Sequence, residues 1–209
     1  VNTGALAAIM QIEKTSSLLI NRCLILIGGS IAMASISEPI HSDLLTTFEL
    51  IHNICGFDCT QPQLEDQNAD YGAYVFQVNS KLIRFRVAKI TPKKNGQFVT
   101  LWQRNEHGIS QPFDESEPVN YFVICARNGN NLGQFVFPKD VLLSRDIISI
   151  QGKGGKRAIR VYPIWDTPES KQAQKTQEWQ LEYFLDLPTN KPINKDRASL
   201  LYRFINSQK

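Results

Sequence analysis

Between Tyr71 and Asn105 the chain has neither aspartate nor glutamate, although seven Lys or Arg fall there: Lys81, Arg84, Arg86, Lys89, Lys93, Lys94 and Arg104. Other things are scarce as well. Cysteine occurs four times, with only Cys55 and Cys59 close together, and His41, His52 and His107 stand far apart. That spacing supplies no zinc-ligand set, and a chain of this size does not need a disulfide scaffold. Long apolar runs are missing. The stretch from Leu18 to Ile36 is cut by Asn21 and Arg22, which leaves 12 residues from Cys23 to Ala34, too few to cross a bilayer. No G-x-S-x-G nucleophile turn occurs, no cysteine has an activating sequence context, and no repeat recurs at a solenoid period.

What is present is ordinary globular composition: 209 residues, 42% hydrophobic and 21% charged, with a net charge of +3. No Gly/Ser/Pro-rich linker divides the chain, so residues 41–187 read as one domain with its own core. Residues 1–40 read as a non-core extension. The reading favoured is a stretch upstream of a natural start near Met33. A signal-like segment ending at the "AMA" of Ala32–Ala34 is the second reading. A cytoplasmic location is expected, with secretion the minority reading. Residues 188–209 read as a C-terminal tail or helix.

The charge is unevenly spread. Glu65, Asp66 and Asp70 precede the acid-free stretch, and Asp114, Glu115 and Glu117 follow it. A second basic knot, Lys153, Lys156, Arg157 and Arg160, lies in "GKGGKRAIR". Such a distribution suggests a bipolar surface with one face attractive to anions.

Periodicity orders the elements. "SDLLTTFELIHNIC" has helical spacing after a cap at Ser42 or Asp43, with Gly56 as its stop. "AYVFQV" and "KLIRFRVAKI" flank Asn79-Ser80 as a hairpin. Pro92 ends the second strand, and Asn95-Gly96 predicts a turn into "QFVTLWQR". An antiparallel meander over 73–104 follows. "NYFVICAR" and "NLGQFVFP" predict another hairpin, 138–144 a short helix, and "RAIRVYPIW" a strand. A helix capped by Thr167 with Pro168 at its first position is predicted to run to Leu187, and a last helix near 196–206. The expected class is α+β or α/β, a single domain with a mixed central sheet and helices on its faces.

Strand alternation then locates chemistry. In "RFRVAKI", Phe85, Val87 and Lys89 share one face, and Arg84, Arg86, Ala88 and Ile90 the other. Both faces are mixed, so some of these cations must meet solvent, a counter-ion or a ligand. The counter-ion reading pairs them with Glu65, Asp66 or Asp70. The ligand reading assembles an anion site from Arg86, Lys89, Lys94, Gln97, Arg104, Lys156, Arg157 and Arg160, with Trp102 available for base stacking. "GKGGKRAIR" misses the Walker pattern, because Arg157 follows Lys156. Its glycines could still offer backbone N–H groups to a phosphate, or form a plain polar loop.

The stretches "YGAYVFQVNSKLIRFRVAKITPKKNGQFVTLWQR", "FVFPKDVL", "GKRAIRVYPIW" and "KQAQKTQEWQLEYFLDL", in that order over about 42–187, resemble the MepB family. That family takes its name from a gene beside a multidrug efflux pump and its repressor, and it has no assigned biochemical role. The resemblance implies a fold similar to the PD-(D/E)XK nuclease-like class, and with it a phosphodiester-handling ancestry. A nuclease of that class sets acids and a lysine around Mg²⁺. Here Val87 stands two residues before Lys89 where an acid is expected, leaving Glu65, Asp70 and Lys89 as the candidates. The leading expectation is a nucleic-acid or phosphate-binding protein. A divergent Mg²⁺-dependent nuclease, and a nucleotide or small-molecule binder or protein-interaction module, are the alternatives.

Overall fold

The chain divides into two units, Val1–Ile40 and His41–Lys209. The structure, a computed structural model, describes residues 24–27, 30–33, 40–49, 56–188 and 192–203. In the first unit, β1 (Leu24–Ile27) and β2 (Ser30–Met33) pair antiparallel, Leu24 opposite Met33. The rest of the signal-like stretch 18–36 lies outside the described residues. Among the described residues no helix is long and apolar enough to cross a membrane.

The second unit opens with α1 (Ser42–Phe48), capped by neither Ser42 nor Asp43 but by His41, whose Nδ1 accepts from the Asp43 amide at 3.2 Å. Asp43 is instead buried in the first turn and accepts from Arg127 Nε at 2.7 Å. Ile51, Ile54 and Cys55, expected on the same helix, lie outside the described residues.

There follow β3 (Gln63–Leu64), β4 (Tyr74–Val78), β5 (Lys81–Val87), β6 (Lys89–Thr91), β7 (Lys94–Thr100), β8 (Trp102–Arg104), β9 (Ser110–Pro112), β10 (Tyr121–Asn128), β11 (Asn131–Pro138), α2 (Lys139–Ser144), β12 (Ala158–Val161), α3 (Lys171–Leu181), β13 (Phe184–Asp186) and α4 (Lys195–Arg203). The fold is α+β. Its main sheet is mixed, with order β13-β11-β10-β5-β4-β3, antiparallel except for the parallel pair β5–β10. A second antiparallel sheet has order β12-β7-β6, and β8 pairs β9.

Both predicted hairpins form. Asn79 and Ser80 close β4–β5 with φ of 46° and 67°, the left-handed pair that suits a two-residue hairpin. Gly129 and Asn130 close β10–β11. The antiparallel hairpins of 73–104 are also present, but they do not share one sheet. At Ala88, whose amide donates to Cys125 O at 2.8 Å, the chain leaves the main sheet for the second. The turn joining β6 to β7 is Pro92-Lys93, between Thr91 and Lys94, not Asn95-Gly96. Ile90 faces Gln97 and Thr91 faces Lys94, so Asn95 and Gly96 form a bulge in β7. Gly96 has φ +77°, and a Cβ there would come within 2.5 Å of the Tyr162 ring.

Period-two alternation sets the layers. Phe122, Ile124 and Ala126 of β10, with Phe135 and Phe137 of β11, face a core shared with Val99, Leu101, Phe113, Val161 and Trp179. The opposite face carries Gln134, which donates to Tyr202 Oη of α4 at 2.7 Å. Covered on both faces, β10 is buried from Tyr121 to Ala126. The helix expected from Pro168 to Leu187 is shorter at both ends. Ser170, not Thr167, caps it, with Oγ accepting from Ala173 N at 3.1 Å. After Leu181 the chain becomes β13, because Phe184 and Leu185 are needed on the main-sheet edge beside Phe135 and Gln134.

Candidate functional site

The arginine charge of β5 is neutralised inside the molecule. Glu65 accepts from Arg84 through one carboxylate oxygen and from Arg86 through the other. Glu117 takes the second Arg84 nitrogen at 3.1 Å and also receives the Gln103 amide. Arg86 is 0% exposed, donates to Phe85 O at 2.8 Å, and has its guanidinium 5.8 Å from the Phe113 ring; that of Arg84 is 4.4 Å away. Two arginines and two glutamates thus form a closed, near-neutral set. Arg86 therefore presents nothing to an external anion. Glu65, a candidate catalytic acid, is held by its arginines, and among the described residues no three Asp, Glu, His or Cys side chains gather as a metal site.

The glycine-rich loop before β12 also turns its donors inward. Gly152 N donates to Asp114 Oδ2 at 2.9 Å and Gly155 N to Asp146 Oδ1 at 3.1 Å, while the amides of Lys153 and Lys156 go to Ile150 O and Ile147 O. These backbone groups are not open to a phosphate. With further donors from Ser149 and Ser116, Gly152 holds the Asp114 carboxyl well below the usual carboxylate range.

Cations do converge around β7, β12 and α3. A groove of about 410 Å³ is bordered by Lys94, Arg145, Lys156 and Arg160, with Tyr162 and Trp179, and no acidic side chain lines it. Among the described residues none of these four cations has an ion-pair partner. Arg160 is fixed by neutral acceptors, Gly96 O at 2.9 Å and Thr91 Oγ1 at 2.7 Å, so its charge is placed but not cancelled. The Arg145 guanidinium lies 5.0 Å from the Trp179 ring.

A cleft of about 720 Å³ adjoins this groove and shares Lys94, Arg160 and Tyr162 with it. Lys93, Gln97, Trp165 and Asp166 also line the cleft. Residues 165–167 form one wall, and the 163–168 segment that carries them is pinned by three side chains. Gln177 Nε2 donates to Pro163 O and Asp166 O, Gln174 Nε2 to Pro168 O, and Asn95 Nδ2 to Thr167 O. Gln180 gives the free edge of β12 the partners a further strand would supply, donating to Arg160 O and accepting from Tyr162 N, both at 2.9 Å. Burial pushes the Asp166 carboxyl above its ordinary value.

The predicted anion-site residues therefore separate. Lys94, Lys156 and Arg160 come together, and Gln97 lies in the adjoining cleft. Lys89 rests over the Tyr71 ring at 4.4 Å, Arg157 and Asp70 are exposed, and Arg104 lies over Trp102 at 5.4 Å in a different cleft beside Glu65 and Asp66. Trp102 is thus not part of the basic groove's lining. Sequence reasoning missed Arg145, Trp165 and Asp166. Arg145 follows a short helix with no motif around it. Pro163 and Pro168 bracket Trp165-Asp166, which marks a rigid loop in place of the strand end and helix cap expected from the sequence.

A family model described as MepB-like matches residues 65–186. A solved structure described as "Crystal Structure of MepB" is 34% identical with a TM-score of 0.61, over 70% of this chain and 98% of that one. A bacterial homing endonuclease, I-Ssp6803I, is 16% identical with a TM-score of 0.37, over 66% and 88% of the two chains; at that score the likeness carries neither fold nor activity across. No curated protein matches.

Proposed function

The chain belongs to the MepB-like family, and from that premise we propose that it binds a polyanion, a nucleic-acid strand, along the groove of Lys94, Arg145, Lys156 and Arg160. The observation that carries this reading is a groove with four cations and no carboxylate, set inside the matched segment. Uncompensated cations along one groove release counterions when a phosphate chain replaces them, and that release is the main source of affinity for nucleic acid. The walls are partly aromatic, through Tyr162 and Trp179, which offers stacking surfaces to the unpaired bases of a single strand. The acid-free stretch between Tyr71 and Asn105 contributes Lys94 to this groove, while its Arg84 and Arg86 pair with Glu65.

Fluorescence anisotropy with a labelled single-stranded oligonucleotide tests the proposal. Four phosphate contacts give a slope of log affinity against log salt of about −3. The double variant Arg145→Ala/Lys156→Ala flattens that slope by about 1.4. Arg104→Ala, in the other cleft, leaves it unchanged. Binding that ignores salt, or is lost with Arg104 and kept without Arg145 and Lys156, overturns the proposal.

A further inference from the structure

The cleft beside the groove holds an unusual concentration of buried polar atoms that nothing satisfies. Among the described residues eight buried side-chain nitrogen or oxygen atoms have no hydrogen-bond partner, and four of them belong to three residues of this one cleft: both amide atoms of Gln97, the indole Nε1 of Trp165 and Oδ2 of Asp166. Gln97 is only 2% exposed. Buried polar groups are normally paired, and each orphan weakens the folded state. Gln180, equally buried, shows the ordinary outcome, since its amide atoms bond Arg160 O of β12 and the Tyr162 amide just after it.

The orphans have a definite chemistry. Gln97 offers a donor and an acceptor side by side, Trp165 a donor, and Asp166 an acceptor, or a donor when protonated. A planar heterocycle with donors and acceptors along its edge complements that set, as an amide does when it grips a base edge. Lys94 and Arg160 line both spaces, so a phosphate in the groove would carry its base toward the cleft. The wall bearing Trp165 and Asp166 is fixed by Gln174, Gln177 and Asn95 before any ligand arrives. The volume, about 720 Å³, lies within the range of small-ligand sites.

We infer that this cleft is a nucleobase pocket, in which Gln97, Trp165 and Asp166 read the edge of one base whose phosphate occupies the neighbouring groove. The inference rests on the polyanion reading and extends it from phosphate to nucleotide. The orphaned atoms are closed to solvent in the unliganded chain, so engagement goes with rotation of a lining side chain. Partly exposed Tyr162, which lines both spaces, is placed for that movement. The nucleotide comes either free or as one residue of a strand.

Two labelled strands distinguish the possibilities, one entirely abasic and one carrying a single base among abasic sugars, together with free mononucleotides and inorganic phosphate in thermal-shift assays. The base-bearing strand is expected to bind about tenfold tighter than the abasic one. Gln97→Met and Trp165→Phe, which keep side-chain bulk while removing polar atoms, erase the difference. Gln97→Met also holds or raises the melting temperature, because it removes an unsatisfied amide. Equal, salt-dependent binding of both strands overturns the base pocket and leaves the groove standing. Loss of all strand binding, with mononucleotides still stabilising the wild type but not Gln97→Met, keeps the pocket and overturns the strand reading. Stabilisation by inorganic phosphate as large as by mononucleotides overturns the pocket, as does a base preference that survives in both variants. A base effect confined to the strand assigns the source as a strand; one equally present with mononucleotides assigns it as free nucleotide. Should Gln97→Met fail to fold, Trp165→Phe decides.

Discussion

Glu65 and Arg86 form a charge pair in which the arginine is fully shut off from water. Burial works to lower the arginine's proton affinity and Glu65 works against it. Glu65 also serves Arg84, so the two partners are unequal. Replacing Glu65 by Gln strands the buried Arg86 and leaves Arg84 with Glu117 alone, and should remove about 3–5 kcal/mol of stability. Arg86→Met leaves Glu65 with Arg84 and should cost less. Urea unfolding of the two variants checks the order; an Arg86→Met loss larger than that of Glu65→Gln contradicts it.

Two aspartates should affect acid stability in opposite directions. The Asp114 carboxyl is depressed in the folded state by Gly152, Ser149 and Ser116. Its contribution is full above the unfolded value of about 3.9 and fades as pH falls toward the lower folded value. Asp166 is raised by burial, so it favours folding only in acid and opposes it as pH rises through its folded value. At neutral pH, Asp114→Asn should therefore lower the melting temperature and Asp166→Asn raise it. Both differences should shrink below about pH 4 when melting is followed against pH.

Gly96 and Gly152 separate steric from conformational strain. Both have positive φ, +77° and +72°. A Cβ at Gly96 meets Tyr162 Cε1 at 2.5 Å, whereas at Gly152 nothing lies within 4 Å. Gly152→Ala should cost about 1–2 kcal/mol from the left-handed backbone alone. Gly96→Ala should cost more, because the added methyl must also push the Tyr162 ring aside. Equal losses for the two in thermal unfolding would deny the Tyr162 contact.

The thiols of Cys59 and Cys125 should be inert in the native protein. Burial pushes Cys59 up to about 11, and Cys125, 0% exposed, higher still. The thiolate fraction at pH 7.5 is then negligible. Iodoacetamide labelling read by peptide mapping should modify both only after denaturant is added.

How much of this was legible beforehand depended on how local each signal was. Asn79-Ser80 and the Asn128–Asn131 segment closed hairpins because adjacent residues carried the whole instruction. The parallel pairing of β5 with β10 had no such cue, since its partners are far apart in sequence. Asn95-Gly96 misled because a bulge demands the same left-handed glycine as a turn. The mixed faces of "RFRVAKI" correctly required partners for its cations. Sequence alone left open whether those partners were Glu65 or a ligand, and the fold supplies Glu65 for two of them. Arg145 and Asp166 join Lys94 and Lys156 around the proposed site only through tertiary packing.

The departure of the chain from the main sheet at Ala88 and its return at Tyr121 have a kinetic consequence. β5 and β10 lie side by side, yet the whole excursion that builds β6 to β9 must be gathered before they can register. Closing that span is an entropic toll that no local turn defrays, and long-range parallel pairing of this kind slows folding. The central seam of the molecule should thus be among the last contacts made, while the flanking hairpins β4–β5 and β10–β11 can zip early and wait for each other.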